Sequence, residues 1–276
     1  MSHNIKELKQ RFLEYVEIEK GRSHRTVRLY DEYLNRFFEF AKIKTADDIT
    51  DEKVRQFRLW LNRLPGWNVK GEASTMKKKT QNYYLIALRS FLKFLSKKGI
   101  KALSADAIEL AKVGDRHIDL ISTDELKRLL DAPKGDDIRI LRDKAILELL
   151  FSTGLRLAEL CSLTCDLDFS AEQLSVRGKG EKIRLVFISD EAKKAIKKYL
   201  DKRTDMDEAL FVRHHREHSK SGSNALDRRS VERVVKYWAI RAGISKKVTP
   251  HVIRHCFATD LQIGRASCRE RVCQYV

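Results

Sequence analysis

The segment from residue 249 to residue 261 has the sequence TPHVIRHCFATDL. Thr249 is a favourable N-cap and Pro250 suits the first helical position, so the segment predicts the start of a helix. His251 and Arg254 are three residues apart and therefore share one face of its first turn. The N–H groups and the positive dipole end of that turn favour an anion. A guanidinium beside an imidazole suits phosphate chemistry, although a partly exposed helix start with satisfied polar residues explains the same pattern.

Two groups of histidines raise the alternative of a metal site. His251 and His255 are four residues apart, but no acid follows in the manner of the HExxH pattern. His214, His215 and His218 form a second group, which lacks a Cys or an acid to complete a site, so a polar loop is favoured. We therefore expect no metal and no cofactor.

The composition indicates folded domains with a polyanionic partner. The chain has 276 residues, 42% of them hydrophobic, with 56 Lys and Arg against 39 Asp and Glu and a net charge of +17. Such an excess favours nucleic acid as the partner. Five cysteines without a CxxC pair favour a reducing cytoplasm over a disulfide framework. The polar N-terminus and the absence of a long apolar run argue against a signal peptide and a membrane span.

Residues 1–98 predict a helical domain. Apolar and aromatic residues recur at helical spacing in four stretches, and we expect them to form a core rather than a binding surface. The last stretch, which we expect to be capped near Ser74 or Thr75, lies within a basic segment. Between Gly66 and Lys101, nine Lys or Arg face one acid, Glu72, which favours contacts with a phosphate backbone over a solvated face. We expect Lys77, Lys78 and Lys79 to bind DNA.

Residues 99–118 lose regular periodicity and predict an interdomain linker, after which a second domain spans residues 119–262. Ser122 and Glu125 form a capping box, and residues 136–151 predict a long apolar helix. Gly154 allows a tight turn into the next helix, which places Arg156 near a helix start. A surface ion pair between Arg156 and Glu159, of little energetic value, is the alternative explanation of that motif.

Residues 173–177 and 182–188 alternate as two strands around the turn 178–181, whose tip carries Lys179. A lysine in a glycine turn is ordinarily only solvated. Residues 190–202 and 228–241 predict basic helices, and residues 211–212 predict a short edge strand. The second of these helices begins with Arg228 and Arg229, which we also expect to contact DNA.

Three short motifs, taken in their order along the chain, are specific for one protein family. The sequence GLRLAEL at 154–160, then GKG at 178–180, then HVIRHCFAT at 251–259 resembles the tyrosine recombinase (phage integrase) family, and most closely its Xer-type cellular members. The resemblance implies a mainly α (α+β) fold. An N-terminal, SAM-like helical core-binding domain and a mostly helical catalytic domain with a small β-sheet would clamp double-stranded DNA. It further implies a site-specific recombinase that acts as a tetramer on synapsed DNA.

The resemblance also implies roles for individual residues. Arg156 and Arg254 match the two arginines that hold the scissile phosphate. Lys179 matches the lysine that donates a proton to the leaving 5′-hydroxyl, and His251 matches the histidine that assists proton transfer. His255 lies beside the motif, where packing or hydrogen bonding is the expected role. Two guanidiniums offset charge on the phosphorane, and no metal is required.

The sequence departs from the family pattern after residue 262. The family continues with a Leu-Gly-His/Trp segment and a nucleophilic tyrosine, whereas the only later tyrosine here is Tyr275. Residues 263–272 resemble a translated sequencing adapter. We therefore expect residues 263–276 to be an artefactual tail, and the catalytic domain to be incomplete and inactive as written. Two rivals remain, a non-catalytic DNA-binding protein and a metal-dependent nuclease that uses His251 and His255.

Overall fold

The computed structural model describes residues 4–66, 74–114, 119–169, 171–178, 183–214 and 224–263. The chain divides into two compact units, Met1–Arg116 and His117–Val276. Along the described parts of the chain, none of the helices is both long enough and apolar enough to cross a membrane.

The first unit is built from four helices with an aromatic core. They are α1 (Ile5–Glu17), α2 (His24–Ala41), α3 (Asp51–Arg63) and α4 (Lys78–Lys97). Each helix contributes one phenylalanine that is at most 1% exposed, namely Phe12, Phe37, Phe57 and Phe91. The rings of Phe12 and Phe91 meet edge-on with centroids 5.4 Å apart, and those of Phe37 and Phe57 at 5.0 Å. The aromatic residues at helical spacing therefore form the core, as expected.

The start of α4 differs from the sequence-based expectation. Ser74 and Thr75 do not cap the helix, because they form strand β2 (Ser74–Thr75), which pairs antiparallel with β1 (Pro65–Gly66). The N-cap is Lys77 instead. Local sequence preference would place Ser74 and Thr75 at a helix N-terminus, but backbone pairing with Pro65–Gly66 holds them in a strand instead.

Part of the segment that we expected to be a linker packs on the first unit. A short 3₁₀ turn at Ala105–Ala107 places Ala105 and Ile108 in the core, and Ile108 is 1% exposed. The side-chain amide of Asn82 then holds the backbone of Ala111 through two hydrogen bonds of 2.9 and 3.1 Å. Two apolar residues three positions apart reach the same side of a 3₁₀ turn, which is why this stretch can bury them.

The second unit surrounds one apolar helix. Its elements are α5 (Thr123–Asp131), α6 (Ile138–Thr153), α7 (Leu157–Leu160), β3 (Gln173–Arg177), β4 (Ile183–Phe187), α8 (Asp190–Lys202), α9 (Arg228–Arg241) and α10 (Pro250–Ile263). Residues on all sides of α6 are buried, and α5, α8, α9 and α10 pack against it. The predicted capping box of Ser122 and Glu125 starts α5. Strands β3 and β4 pair antiparallel from Gln173↔Phe187 to Arg177↔Ile183.

Two details of the second unit differ from the sequence-based expectation. Phe211 and Val212 do not form an edge strand; Val212 makes only an isolated bridge to Ala225. Strand β4 also shows an inverted face pattern, because Ile183, Leu185 and Phe187 are exposed while Val186 is buried. Arg184 therefore lies on the inner face of the hairpin with Val186, where alternation of hydrophobicity would not place it.

Candidate active site

The turn between α6 and α7 forms one side of the site. Helix α6 ends at Thr153, and Gly154 caps it in the left-handed conformation with φ of +54°. Leu155 is buried, and Arg156 follows as the N-cap residue of α7. Glycine adopts positive φ without strain, so the sequence can reverse direction within two residues. The predicted turn at Gly154 is thus confirmed.

Helix α10 docks on this turn from the other side. Pro250 starts the helix and the Thr249 hydroxyl accepts a hydrogen bond of 3.3 Å from the Val252 N–H, as the sequence predicts. Nη1 of Arg254 donates a hydrogen bond to the carbonyl oxygen of Gly154. The ring of Phe257 lies against Gly154, where an added Cβ would overlap it. Arg156 and Arg254 are therefore brought together at a single turn.

A buried carboxylate holds Arg156. Glu159 is 4% exposed, and its Oε2 accepts a hydrogen bond from the Arg156 N–H while its Oε1 accepts one from Arg156 Nη1, both 2.8 Å. Nη2 of Arg184 donates a further bond of 2.7 Å to Oε2. The expected ion pair between Arg156 and Glu159 is present, but it is not confined to the surface, because the carboxylate is buried and also meets the guanidinium of Arg184. Burial alone would raise the pKa of Glu159, but these hydrogen bonds outweigh it and lower the pKa.

Three guanidiniums converge on the site. Burial lowers the pKa of Arg254, and the positive charges of Arg156 and Arg184 lower it further, while Glu159 opposes them. One carboxylate among three arginines leaves an excess of positive charge. The Arg156 side chain is 54% exposed and so accessible to a ligand. Such a cluster is suited to an anion with several oxygen atoms, such as a phosphate.

Arg184 was not predicted from the sequence. Its signal was available in β4, where a charged residue lies between apolar neighbours, but alternation pointed it to solvent. Only the position of Glu159, 25 residues earlier in the chain, shows that the inner face of β4 offers a partner for a guanidinium. Glu159 itself was noticed, although only as a candidate surface residue.

Two histidines extend the site along α10. Nε2 of His251 and Nε2 of His255 are 3.1 Å apart, and their rings meet edge-on with centroids separated by 4.5 Å. His251 is exposed and lies one turn before Arg254. The contact places His255 where it can orient the imidazole of His251. The described residues contain no cluster of three or more His, Cys, Asp or Glu side chains that could hold a metal ion.

Lys179, the remaining candidate from the sequence, lies outside the described residues, between the end of β3 at Arg177 and the start of β4 at Ile183. His215 and His218 also lie outside them. His214 is described, and its Nε2 is 3.1 Å from the hydroxyl of Tyr199. His214 therefore lies against a buried tyrosine.

The candidate DNA contacts are all on the surface. Lys77, Lys78 and Lys79 are exposed at the N-terminus of α4, and Arg228 and Arg229 are exposed at the N-terminus of α9. Each group adds positive charge to a helix end that already favours anions. The two groups belong to different units.

The contacts of the two described tyrosines of the second unit, Tyr199 and Tyr237, are with residues other than Arg156 and Arg254. Tyr199 is fully buried, and burial raises its pKa to about 12. Its hydroxyl accepts a hydrogen bond of 3.4 Å from the Val212 N–H. Tyr237 is 49% exposed on α9, where its ring packs edge-on against Trp238. Tyr275 lies outside the described residues.

The first, helical unit is followed along the chain by a mostly helical unit with a small hairpin, and the turn between α6 and α7 of this second unit carries an arginine cluster suited to a phosphate group. The chain belongs to the phage integrase family. Residues 119–270 match the phage integrase family itself, and residues 10–99 match the phage integrase N-terminal SAM-like domain.

Curated relatives support the same assignment. The chain is 34% identical to tyrosine recombinase XerC of Thermodesulfovibrio yellowstonii over 269 residues, which cover 94% of this chain and 83% of the relative. It is 33% identical to tyrosine recombinase XerA of Pyrococcus furiosus, covering 92% and 80% of the two chains. The expected membership among Xer-like tyrosine recombinases is confirmed.

Solved structures share the fold. A lambda integrase tetramer bound to a Holliday junction matches with a TM-score of 0.69 and 17% identity, covering 97% of this chain and 76% of that one. XerH recombinase bound to its difH substrate matches with a TM-score of 0.61 and 20% identity, covering 87% and 69%. The expected mainly α fold with a small sheet is confirmed.

Proposed function

We propose that this protein is a site-specific recombinase that breaks and rejoins strands of double-stranded DNA through a 3′-phosphotyrosine intermediate. The observation that carries the proposal is the meeting of Arg156 and Arg254 at the Gly154 turn, although 98 residues separate them in sequence. Membership of the phage integrase family supports it, as do relatives named tyrosine recombinases. By analogy with the lambda integrase tetramer bound to a Holliday junction, the assembly would be a tetramer on synapsed DNA. The cysteine pattern supports the cytoplasm as its location.

In this mechanism Arg156 and Arg254 hold the non-bridging oxygens of the scissile phosphate. Attack on phosphorus concentrates negative charge on those oxygens, and fixed guanidiniums stabilise it more in the transition state than in the ground state. The Glu159 hydrogen bonds orient Arg156, and the Gly154 carbonyl orients Arg254. The positioning is established before substrate binds, so little reorganisation is needed during the reaction.

Two further residues would move protons. His251 would assist proton transfer to or from the attacking hydroxyl, with its imidazole oriented by His255. Lys179 would donate a proton to the leaving 5′-hydroxyl from the tip of the β3–β4 hairpin. Electrostatic stabilisation and proton transfer by these side chains account for the reaction without a cofactor.

The nucleophile would be a tyrosine outside the described residues, because an attacking hydroxyl must reach about 3–3.5 Å from phosphorus in line with the leaving group. Tyr199 is buried and Tyr237 packs on Trp238. Tyr275 lies outside the described residues, in a stretch of sequence that is basic and has no apolar stripe. We therefore expect the 276-residue chain to bind DNA without cleaving it covalently, and a non-catalytic DNA-binding protein is the alternative function.

A covalent-trapping experiment tests this proposal. Duplexes that the chain selects from a random library would be nicked near the bound site, so that cleavage releases a short fragment and traps the adduct. We expect no denaturant-resistant adduct with the 276-residue chain. A hybrid that continues after residue 262 with the C-terminal segment of the XerC relative should form one. An adduct of the unmodified chain that is lost in Tyr275→Phe would identify Tyr275 as the nucleophile, whereas a hybrid that binds but never forms an adduct would favour the non-catalytic alternative.

The arginine pair is tested in the same hybrid. Arg156→Lys should nearly abolish adduct formation while it leaves duplex affinity largely unchanged, because lysine offers a point charge where arginine offers a planar fork. Arg254→Lys should behave alike. Arg139→Lys is the matched control, since Arg139 pairs with Asp137 on the surface of the same unit. Cleavage at a normal rate in either active-site variant would remove that arginine from the mechanism.

A further inference from the structure

We propose that Arg184 is a positioning residue of the phosphate site, which fixes the orientation of Arg156 through the carboxylate of Glu159. The inference rests on the proposed function for the identity of the anion as a DNA phosphate. It adds to the site a residue that would touch neither the phosphate nor the reacting atoms.

The hydrogen bonds around Glu159 are divided so that Arg184 controls the carboxylate. Oε2 accepts hydrogen bonds from the Arg156 N–H at 2.8 Å and from Arg184 Nη2 at 2.7 Å. Oε1 is thereby directed at Arg156 Nη1, 2.8 Å away. Without Arg184, a single backbone N–H would hold Oε2, and rotation of the carboxylate would release Nη1. Charge-assisted bonds of this kind fix geometry as well as contributing energy.

The charge of Arg184 also keeps Glu159 ionised in a buried position. A buried carboxylate strongly disfavours its charged form unless cations and hydrogen bonds compensate it. Arg156 is more than half exposed, whereas Arg184 is 35% exposed and approaches from the inner face of β4. Removing one partner of a buried ion pair leaves an uncompensated charge. Glu159 would then move or take up a proton, and Arg156 would lose its support.

The described surroundings of Arg184 direct its guanidinium at Glu159. Among the described residues the buried Nε has no hydrogen-bond partner, whereas Nη2 donates the 2.7 Å bond to Oε2 of Glu159. Its location in β4, five residues after Lys179, also ties the hairpin to the turn that carries Arg156. Arg184 thereby links the segment of the proposed proton donor to the phosphate-binding arginine.

A simpler explanation is that Arg184 only adds positive charge near the anion. The two explanations predict opposite effects of Glu159→Gln on the affinity for an anion. If charge alone acts, Glu159→Gln removes a negative charge and should tighten anion binding. If positioning acts, the same change should weaken binding, because glutamine cannot hold the two guanidiniums with charge-assisted bonds.

The experiment uses the whole chain and inorganic phosphate as the probe. Phosphate affinity would be measured at low ionic strength from the Nε–Hε resonances of Arg156 and Arg254. We expect Glu159→Gln and Arg184→Gln each to weaken phosphate binding by about tenfold, the effect of one misplaced charge-assisted hydrogen bond. Arg184→Lys should weaken it less, because lysine can still donate to Oε2. The double variant, which has the net charge of the native chain, should bind no more weakly than the weaker single variant.

Tighter binding in Glu159→Gln, or native affinity in the double variant, would overturn the inference in favour of charge alone. Arg139→Gln is the matched control for loss of one arginine and should leave phosphate affinity unchanged, since its pair with Asp137 is on the surface. If Arg184→Gln fails to fold, Arg184→Lys and Glu159→Gln still show whether phosphate affinity falls or rises, and so decide between the two explanations.

Arg156→Gln and Arg254→Gln distinguish a failure of this inference from a failure of the proposed function. If both abolish binding while the Glu159 and Arg184 variants follow charge alone, only this inference fails. If neither affects binding, the proposed phosphate site fails with it.

Discussion

At the residue scale, Gly154 satisfies a conformational and a packing requirement together. Its φ of +54° is unfavourable for any residue with a Cβ, and the Phe257 ring occupies the space where a Cβ would lie. Its carbonyl oxygen also accepts the Arg254 hydrogen bond. The geometry of Arg156 and Arg254, the two arginines proposed to bind phosphate, therefore depends on a residue without a side chain.

Replacing Gly154 by alanine separates these two requirements. The left-handed conformation should cost about 1–2 kcal/mol in the free energy of unfolding. Displacement of Phe257 should add a packing cost of about 1–3 kcal/mol. Gly243→Ala is the control, because Gly243 has φ of +69° with nothing within 4 Å of an added Cβ. It should show only the conformational part in urea denaturation. Equal losses in the two variants would mean that Phe257 moves aside without cost.

At the scale of elements, α6 and α9 are joined by a buried polar network. Asp143 is 8% exposed and accepts hydrogen bonds from Nε and Nη2 of Arg142 at 3.0 and 2.7 Å and from Trp238 Nε1 at 2.9 Å. Nη1 of Arg142 donates to the Val212 carbonyl at 3.0 Å. The network thus connects α6 with α9 and with the segment after α8. All three are elements of the unit that carries the arginine cluster.

Asp143→Ala should lower the free energy of unfolding by about 3–5 kcal/mol, because it leaves the buried Arg142 guanidinium without its counter-charge. Trp238→Phe removes one hydrogen bond to that carboxylate and should cost about 1.5–3 kcal/mol. Asp190→Ala serves as the control. The Asp190 side chain is 73% exposed and pairs with Lys193 at 3.8 Å, so its loss should cost under about 1 kcal/mol. A loss in Asp143→Ala as small as that of the control would show that the network contributes little.

At the scale of the whole molecule, the excess of positive charge is distributed over both units. The net charge is +17, and exposed cations occupy the N-terminus of α4 in one unit and that of α9 in the other. Contacts with a phosphate backbone release counterions and therefore make binding dependent on salt. The steepness of this salt dependence reports how many of the cations contact DNA phosphates.

Changing Lys77, Lys78 and Lys79 together to glutamine should weaken binding to duplexes of any sequence. The slope of log affinity against log salt concentration should fall by about one for each DNA phosphate that a lysine no longer neutralises. The control is the same change at Lys194, Lys197 and Lys198, which are exposed on α8 and alter the net charge equally. A salt slope that is unchanged in the first variant, or equally reduced in both, would mean that the lysines before α4 bind no DNA.

Features that depend on near neighbours could be predicted from the sequence. The capping box at Ser122, the N-cap at Thr249 and the turn at Gly154 follow from residue types within four positions of one another. The aromatic core of the first unit follows from helical periodicity, because residues three and four positions apart share a face. The family assignment follows from the order of short motifs, and the same motifs single out Arg156 and Arg254 as candidate site residues.

Features that depend on distant partners were decided by tertiary packing. Ser74 and Thr75 form a strand because Pro65 and Gly66 pair with them, against their local preference for a helix cap. Glu159 is buried rather than exposed, and Arg184 lies on the inner face of β4 while three apolar neighbours face outward. A buried charge is tolerated only where an opposite charge meets it. That partner lies 25 residues away in sequence, so no local pattern could reveal it.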